Sequence, residues 1–207
     1  MCQKVKTTVQ EFGKTAIIAI VAIFIAGAAN AQSNTKDEGV VIKGVKWATR
    51  NVGKPNTFAE KPESFGMFYQ WNCKTAWNTT DKTVTGWNND NANCKAWAWE
   101  TSNNVCPTGW RIPTYNELAS LGEGAFGELN GVEGIYFGSG NNKVFFPAAG
   151  NRSGFNGSLF NPEGHGFYWS SSLRSSENVS VLLFLNSLAG MDTYKSNYGM
   201  CVRCVAE

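Results

Sequence analysis

The sequence predicts an α+β domain built mostly of antiparallel strands, with one or two short helices and one long tryptophan-rich loop. Three observations predict it. Short apolar and aromatic runs recur between turns rich in Asn, Gly and Ser. The clearest helix signal is a short one, Thr114-x-x-Glu117. Residues 72–104 hold Trp77, Trp87, Trp97 and Trp99 among Asn, Thr and Lys, with no helix period and only a weak strand period.

The chain opens on an export signal. Lys4, Lys6 and Lys14 give a positive start, residues 16–29 are apolar and, apart from Phe24 and the isoleucines, small, and Ala29-Asn30-Ala31 fits the small-x-small rule for signal peptidase. The rival is an uncleaved anchor, but the apolar run falls short of the ~20 residues a spanning helix needs. Residues 1–31 are therefore read as a signal peptide and 32–207 as one domain. Cys2 precedes the apolar run, which excludes a lipoprotein cysteine.

Formal charge is +2, and the leader alone accounts for it: three lysines against Glu11. The domain is thus near neutral and has no Lys/Arg cluster. That excludes the phosphate neutralisation on which nucleic-acid binding rests and attraction to an anionic membrane. Of six cysteines, Cys2 falls in the leader, leaving Cys73, Cys94, Cys106, Cys201 and Cys204. Export places them where disulfides persist, and an odd number leaves one thiol over.

Element by element, residues 40–47 (VVIKGVKW) predict a hairpin around Gly44, ending over 49–53. Residues 65–71 (FGMFYQW) are aromatic and alternate, which predicts a strand. Residues 72–104 predict a long ordered loop pinned by its aromatics, since tryptophans argue against disorder. Thr114 and Glu117 form a capping box; Leu118 and Leu121 share a helix face, and Gly122 stops it. Residues 144–150, 166–172, 179–185 and 191–195 predict strands, and 198–205 a last one. Turns fall at Ser139-Gly140 and Asn141-Asn142.

Taken together, VKWATRNVG at 45–53, FYQW at 68–71, CPTGWRIPT at 106–114, FFPAAG at 145–150, YWSS at 168–171 and VRCV at 202–205 cover nearly the whole domain. On these pieces the chain resembles the Fibrobacter succinogenes major paralogous domain, found in exported proteins of Bacteroidetes. The resemblance implies a C-type-lectin-like fold, shared remotely with formylglycine-generating enzymes. There a terminal strand pairs with the N-terminal hairpin, a helix packs behind it and a long loop region projects. It also implies a disulfide from Cys106 to Cys204, fastening the stiff C-P-T-G-W corner to the tail. Cys73 and Cys94 depart from the family pattern and flank the tryptophan-rich loop, so a Cys73–Cys94 bridge is the economical pairing. Cys201 is then the free thiol.

Other chemistries are weighed against bland alternatives. Cys201-x-x-Cys204 resembles a redox pair, but residues three apart on a strand point to opposite faces ~10 Å apart, beyond disulfide reach. A formylglycine-generating-type enzyme with Cys201 near the chemistry would want a base, and His165, the one histidine, lies between glycines. No acid/base constellation is visible, so no catalytic residue is assigned. Trp87-Asn88-Asn89-Asp90 superficially matches a calcium-ligand motif, and Asn161-Pro162-Glu163 is similar; both are read as polar turns, with no metal or cofactor. Asn78, Asn151, Asn156 and Asn178 fit the glycosylation sequon, which means little if the source is bacterial.

Trp77, Trp87, Trp97 and Trp99 are the candidate ligand-binding residues. Exposed, they would stack on sugar rings or anchor a protein partner; packed, they would form a small core beneath the loop. The expected function is an exported, non-enzymatic binding or adhesion module for a glycan or surface protein, with no nucleic acid and no membrane after signal cleavage. The alternatives are the enzyme above and a structural surface or appendage subunit without a small ligand.

Overall fold

The computed structural model describes residues 36–91, 96–185 and 188–207. The signal peptide predicted over residues 1–31 and Cys94 lie outside the described residues. The chain forms β1 (Val40–Ile42), β2 (Val45–Asn51), β3 (Phe68–Gln70) and β4 (Ala76–Trp77), then a 3-10 turn at Thr101–Asn103. β5 (Trp110–Arg111) leads into helix α1 (Tyr115–Ser120). β6 (Ala125–Leu129), β7 (Val132–Ser139), β8 (Asn142–Pro147), β9 (Asn151–Arg152) and β10 (Leu159–Phe160) follow. The last elements are β11 (His165–Leu173), β12 (Asn178–Leu185), β13 (Leu188–Lys195), β14 (Gly199–Met200) and β15 (Arg203–Ala206).

These strands make four sheets, in the orders β1-β2-β15-β5, β10-β9-β14-β3-β4, β11-β12-β13 and β6-β7-β8, with every strand pair antiparallel. The fold is therefore mostly antiparallel sheet with one short α-helix among the described residues. The terminal strand β15 pairs with β2, so the tail closes on the N-terminal hairpin. Lys43 and Gly44 turn that hairpin with φ of 48° and 83°, the left-handed pair that matches strand twist.

The strands lie between two apolar cores. Because successive side chains alternate faces, Trp47 goes to one core and Ala48 to the other. Tyr168 joins the first, while its neighbours Phe167 and Trp169 join the second. Leu182 and Phe184 face the first core and Val179 and Val181 the second. Strands buried on both faces read as continuous apolar runs, which is how β12 stands in the sequence.

The helix forms as its cap predicts. The Glu117 backbone amide donates to Thr114 Oγ1, and the Thr114 amide donates to the Glu117 carboxylate. Leu118 and Leu121 are buried in the first core, and Gly122, at φ 71°, ends the helix. Arg111 grips Glu117 through two bonds of 2.6 and 2.9 Å, tying β5 to the helix start.

Several elements differ from the sequence reading, and the short strands β4, β9 and β10 were not predicted. The strand predicted over 65–71 pairs as a strand only at Phe68–Gln70. Residues 198–205 form two strands in different sheets, because the chain crosses from β14 to β15 at Cys201 and Val202. The β6–β7 hairpin was not anticipated at all; it turns at Asn130-Gly131, with φ of 51° and 81°.

Candidate functional site

The Cys106–Cys204 disulfide is formed, with the alpha carbons 6.0 Å apart. It joins the C-P-T-G-W corner to β15, and both sulfurs sit in the second core. Trp110, Ile112 and Val105 pack around it. Cys73 is buried with its sulfur 3.0 Å from Asn91 Oδ1. The proposed Cys73–Cys94 bridge falls on Cys94, outside the described residues.

From this corner the loop is tied down by side chains that donate to distant backbone carbonyls. Arg152 is fully buried and donates to the carbonyls of Asn78, Gly157 and Asp81 at 2.6–3.0 Å. Asn91, also fully buried, donates to the carbonyls of Trp71 and Ser196 at 3.0 Å. Asn197 donates to Asn89 O at 2.6 Å, and Gln70 to Asn88 O. The Trp87–Asp90 stretch is thus a fixed turn whose carbonyls serve structure.

The four loop tryptophans occupy three environments. Trp77 and Trp87 are half-buried against each other, ring centroids 5.1 Å apart, and the Trp87 indole donates to Gly154 O at 3.2 Å. Trp87 also lies over Gly157 and Gly199, where any β-carbon would fall within 2.7 Å of its ring. Trp99 is buried edge-on to Trp71, with centroids 5.9 Å apart, and donates to Asn103 O at 2.9 Å. Trp97 alone of the four stands in solvent, 85% exposed. Its neighbour Ala98 pairs with Ser172 at the end of β11, so the exposed ring rises from an anchored backbone.

Beside that backbone a cleft of about 320 Å³ opens between residues 99–104, β5, the helix cap and β11. Its wall is Trp99, and Glu100, Thr101, Asn104, Arg111 and Ser171 line it with polar groups. Arg111 is held by Glu117, and those bonds keep the Glu117 carboxyl down at about 2 despite burial. The chemistry on offer is a ring for stacking beside hydrogen-bond donors and acceptors in fixed positions.

Cys201 is buried in the first core, its thiol donating to Phe65 O at 3.5 Å. Burial pushes the thiol up to about 12, with the nearby Arg203 only partly opposing it. Cys204 is spent in the disulfide, and the two cysteines face different cores. His165 starts β11 and is half-buried. Among the described residues no three His, Cys, Asp or Glu side chains gather where they could hold a metal ion.

Sequence reasoning missed the buried polar residues. Arg203 is fully buried and donates to Asn51 Oδ1 at 2.7 Å, Ala48 O at 3.0 Å and Phe145 O at 2.9 Å, with its guanidinium over the Phe146 ring. Asp37, in the polar stretch before β1, is buried and accepts from the Thr49 and Gly39 amides and from Arg50. An Arg inside an otherwise apolar V-R-C-V run was the available signal.

No protein-family model matches the chain, and no curated protein or solved structure matches it either.

Proposed function

We propose that this chain is an exported, non-enzymatic binding or adhesion module of the Fibrobacter succinogenes major paralogous domain family, with a C-type-lectin-like fold. Its recognition surface is Trp97 with the adjoining polar cleft, and its ligand is a glycan or a surface protein. The observation that carries the reading is an 85% exposed tryptophan on a backbone anchored to β11, next to a cleft lined by Trp99 and polar side chains. A large ring left in water costs solubility and contributes nothing to folding, whereas stacking on a sugar or a protein anchor uses it. The pairing of β15 with the N-terminal hairpin supports the fold, and the internal disulfide supports export. The buried, high-pKa Cys201 favours binding over the enzyme reading, because the thiolate is the nucleophile and this thiol holds its proton at neutral pH.

Glycan-array screening of the exported protein tests this, with W97A as the control. Binding to a sugar class that W97A abolishes, at an unchanged melting temperature, supports the reading. Failure to bind any glycan or surface protein, or binding that survives W97A, refutes it.

A further inference from the structure

The β6–β7 hairpin projects from the first core with one face turned back toward the molecule. Phe126 opposes Ile135 on that face, and two residues further out Glu128 opposes Glu133. Ile135 is fully buried, and Phe126 meets Phe184 of β12 edge-on with centroids 6.2 Å apart. Beyond these rings lies a cleft of about 480 Å³, lined by both phenylalanines, Ala148, Gly164 and the two glutamates. A smaller hollow shares Glu128, Glu133 and Ala148 and adds Glu163. Glu128, Glu133 and Glu163 form no ion pair with any described residue.

The same strand has a free edge. β6 lies at the end of its sheet, and Ala125 to Glu128 are exposed. In a hairpin with a two-residue turn the residues flanking the turn form the hydrogen-bonded pair, and pairs alternate from there. Leu129 and Gly127 therefore bond to β7, while Phe126 and Glu128 turn their amides outward. The Glu128 carbonyl already accepts from the Tyr136 hydroxyl at 2.9 Å. The two residues whose side chains line the cleft thus also present unpaired backbone donors beside it.

Glu128 and Glu133 sit at the close, non-hydrogen-bonded kind of pair, where like charges directly opposite are destabilising. An opposite charge between them relieves that cost. It also selects the occupant. A second copy of β6 would bring its own Glu128 to the same place, whereas a cationic segment meets the carboxylates with complementary charge. The domain is near neutral overall, so this attraction is local to the cleft.

We infer that β6 and its cleft form a second recognition site, which takes an extended, lysine- or arginine-bearing segment of a partner protein. The segment adds as a strand to the free edge of β6 and sets a basic side chain between Glu128, Glu133 and Glu163 and an apolar one against Phe126 and Phe184. This site is separate from the Trp97 surface and stands or falls independently of it.

The test uses the full exported protein and two synthetic hexapeptides, Thr-Lys-Thr-Val-Thr-Thr (Lys-Val) and Thr-Glu-Thr-Val-Thr-Thr (Glu-Val), which set the charged and the apolar residue two apart on one strand face, followed by calorimetry and amide hydrogen exchange. The Lys-Val peptide is expected to bind and slow exchange at Phe126 and Glu128 at least tenfold, while Glu-Val does neither. The double variant E128Q/E133Q is expected to fold with an unchanged or higher melting temperature and to bind Lys-Val at least tenfold more weakly. Equal binding of the two peptides, equal binding by the double variant, or exchange at Phe126 and Glu128 that the peptide leaves unchanged would each overturn the inference. So would protection of those amides in a peptide-free dimer, which would make the occupant a second copy.

Discussion

The paired strands and the tryptophan-rich loop both carry large aromatic side chains but are held in opposite ways. In β11 and β12 the backbone pairs with backbone in a ladder whose register shifts only between Trp169 and Leu173, and the rings fill two cores on alternate faces. Between residues 72 and 91 strand pairing is limited to two residues of β4; Arg152, Asn197 and Gln70 donate to carbonyls of this stretch, and its own Asn91 donates out to the carbonyls of Trp71 and Ser196. The sheets supply order through many small equivalent bonds, and the loop through a few side-chain posts. A loop held by posts can keep a shape that no ladder would produce. It should also be the part that a single substitution can release.

The largest effect tests what the two regions share. The Cys106–Cys204 bridge closes 98 residues and spans the loop's corner and the last strand. On the chain-entropy estimate, C106S/C204S costs ~4–5 kcal/mol, and urea unfolding should show loop and sheets failing together. Next comes a contrast between two buried arginines. R203M strands the carbonyls of Ala48 and Phe145 inside the sheets, and R152M strands those of Asn78, Gly157 and Asp81 under the loop. Each is expected to cost about 3 kcal/mol. Thermal unfolding should lose cooperativity only in R152M, since only there is the damage confined to one region.

A smaller effect lies at the helix cap. The Glu117 carboxyl is held at about 2 by Arg111, below its unfolded value, so its contribution is fully present above the ordinary glutamate range and is lost as pH falls through about 2. Arg111 is partly exposed, which screens the pair, so E117Q should cost ~1–2 kcal/mol at pH 7, cap included. The difference from the parent should shrink in acid, read by melting temperature from pH 7 down to 2. Smallest of all is W97A, expected within ~0.5 kcal/mol of the parent because the ring packs on nothing that folding requires. A large loss would move Trp97 from the surface into the loop's own support.

How far each region was legible in the sequence follows the same division. The β1–β2 hairpin is carried by a Lys-Gly turn between apolar runs, and α1 by a capping box whose partners lie three residues apart. Both are local signals, and both elements form there. The tail was legible as strand but not as two strands, because the switch of sheets at Cys201 depends on β3 and β2 far upstream. The β6–β7 hairpin carries an Asn-Gly turn, but Gly127, Glu128, Glu133 and Gly134 interrupt its apolar alternation, as suits an edge that faces a cleft. The loop's tryptophans were visible as unusual, and their division into Trp97 outside and Trp99 inside was not. That division is set by Asn103, Ser172 and Trp71, none of which announces itself in the local pattern.

Native-state hydrogen exchange on the parent and R152M tests the division most directly. With the loop held by posts, R152M should speed exchange of the amides between residues 76 and 91 by at least tenfold while those of β11 and β12 keep their parental rates relative to global stability. Uniform acceleration across loop and sheets, or a loop whose exchange does not change, would contradict the account.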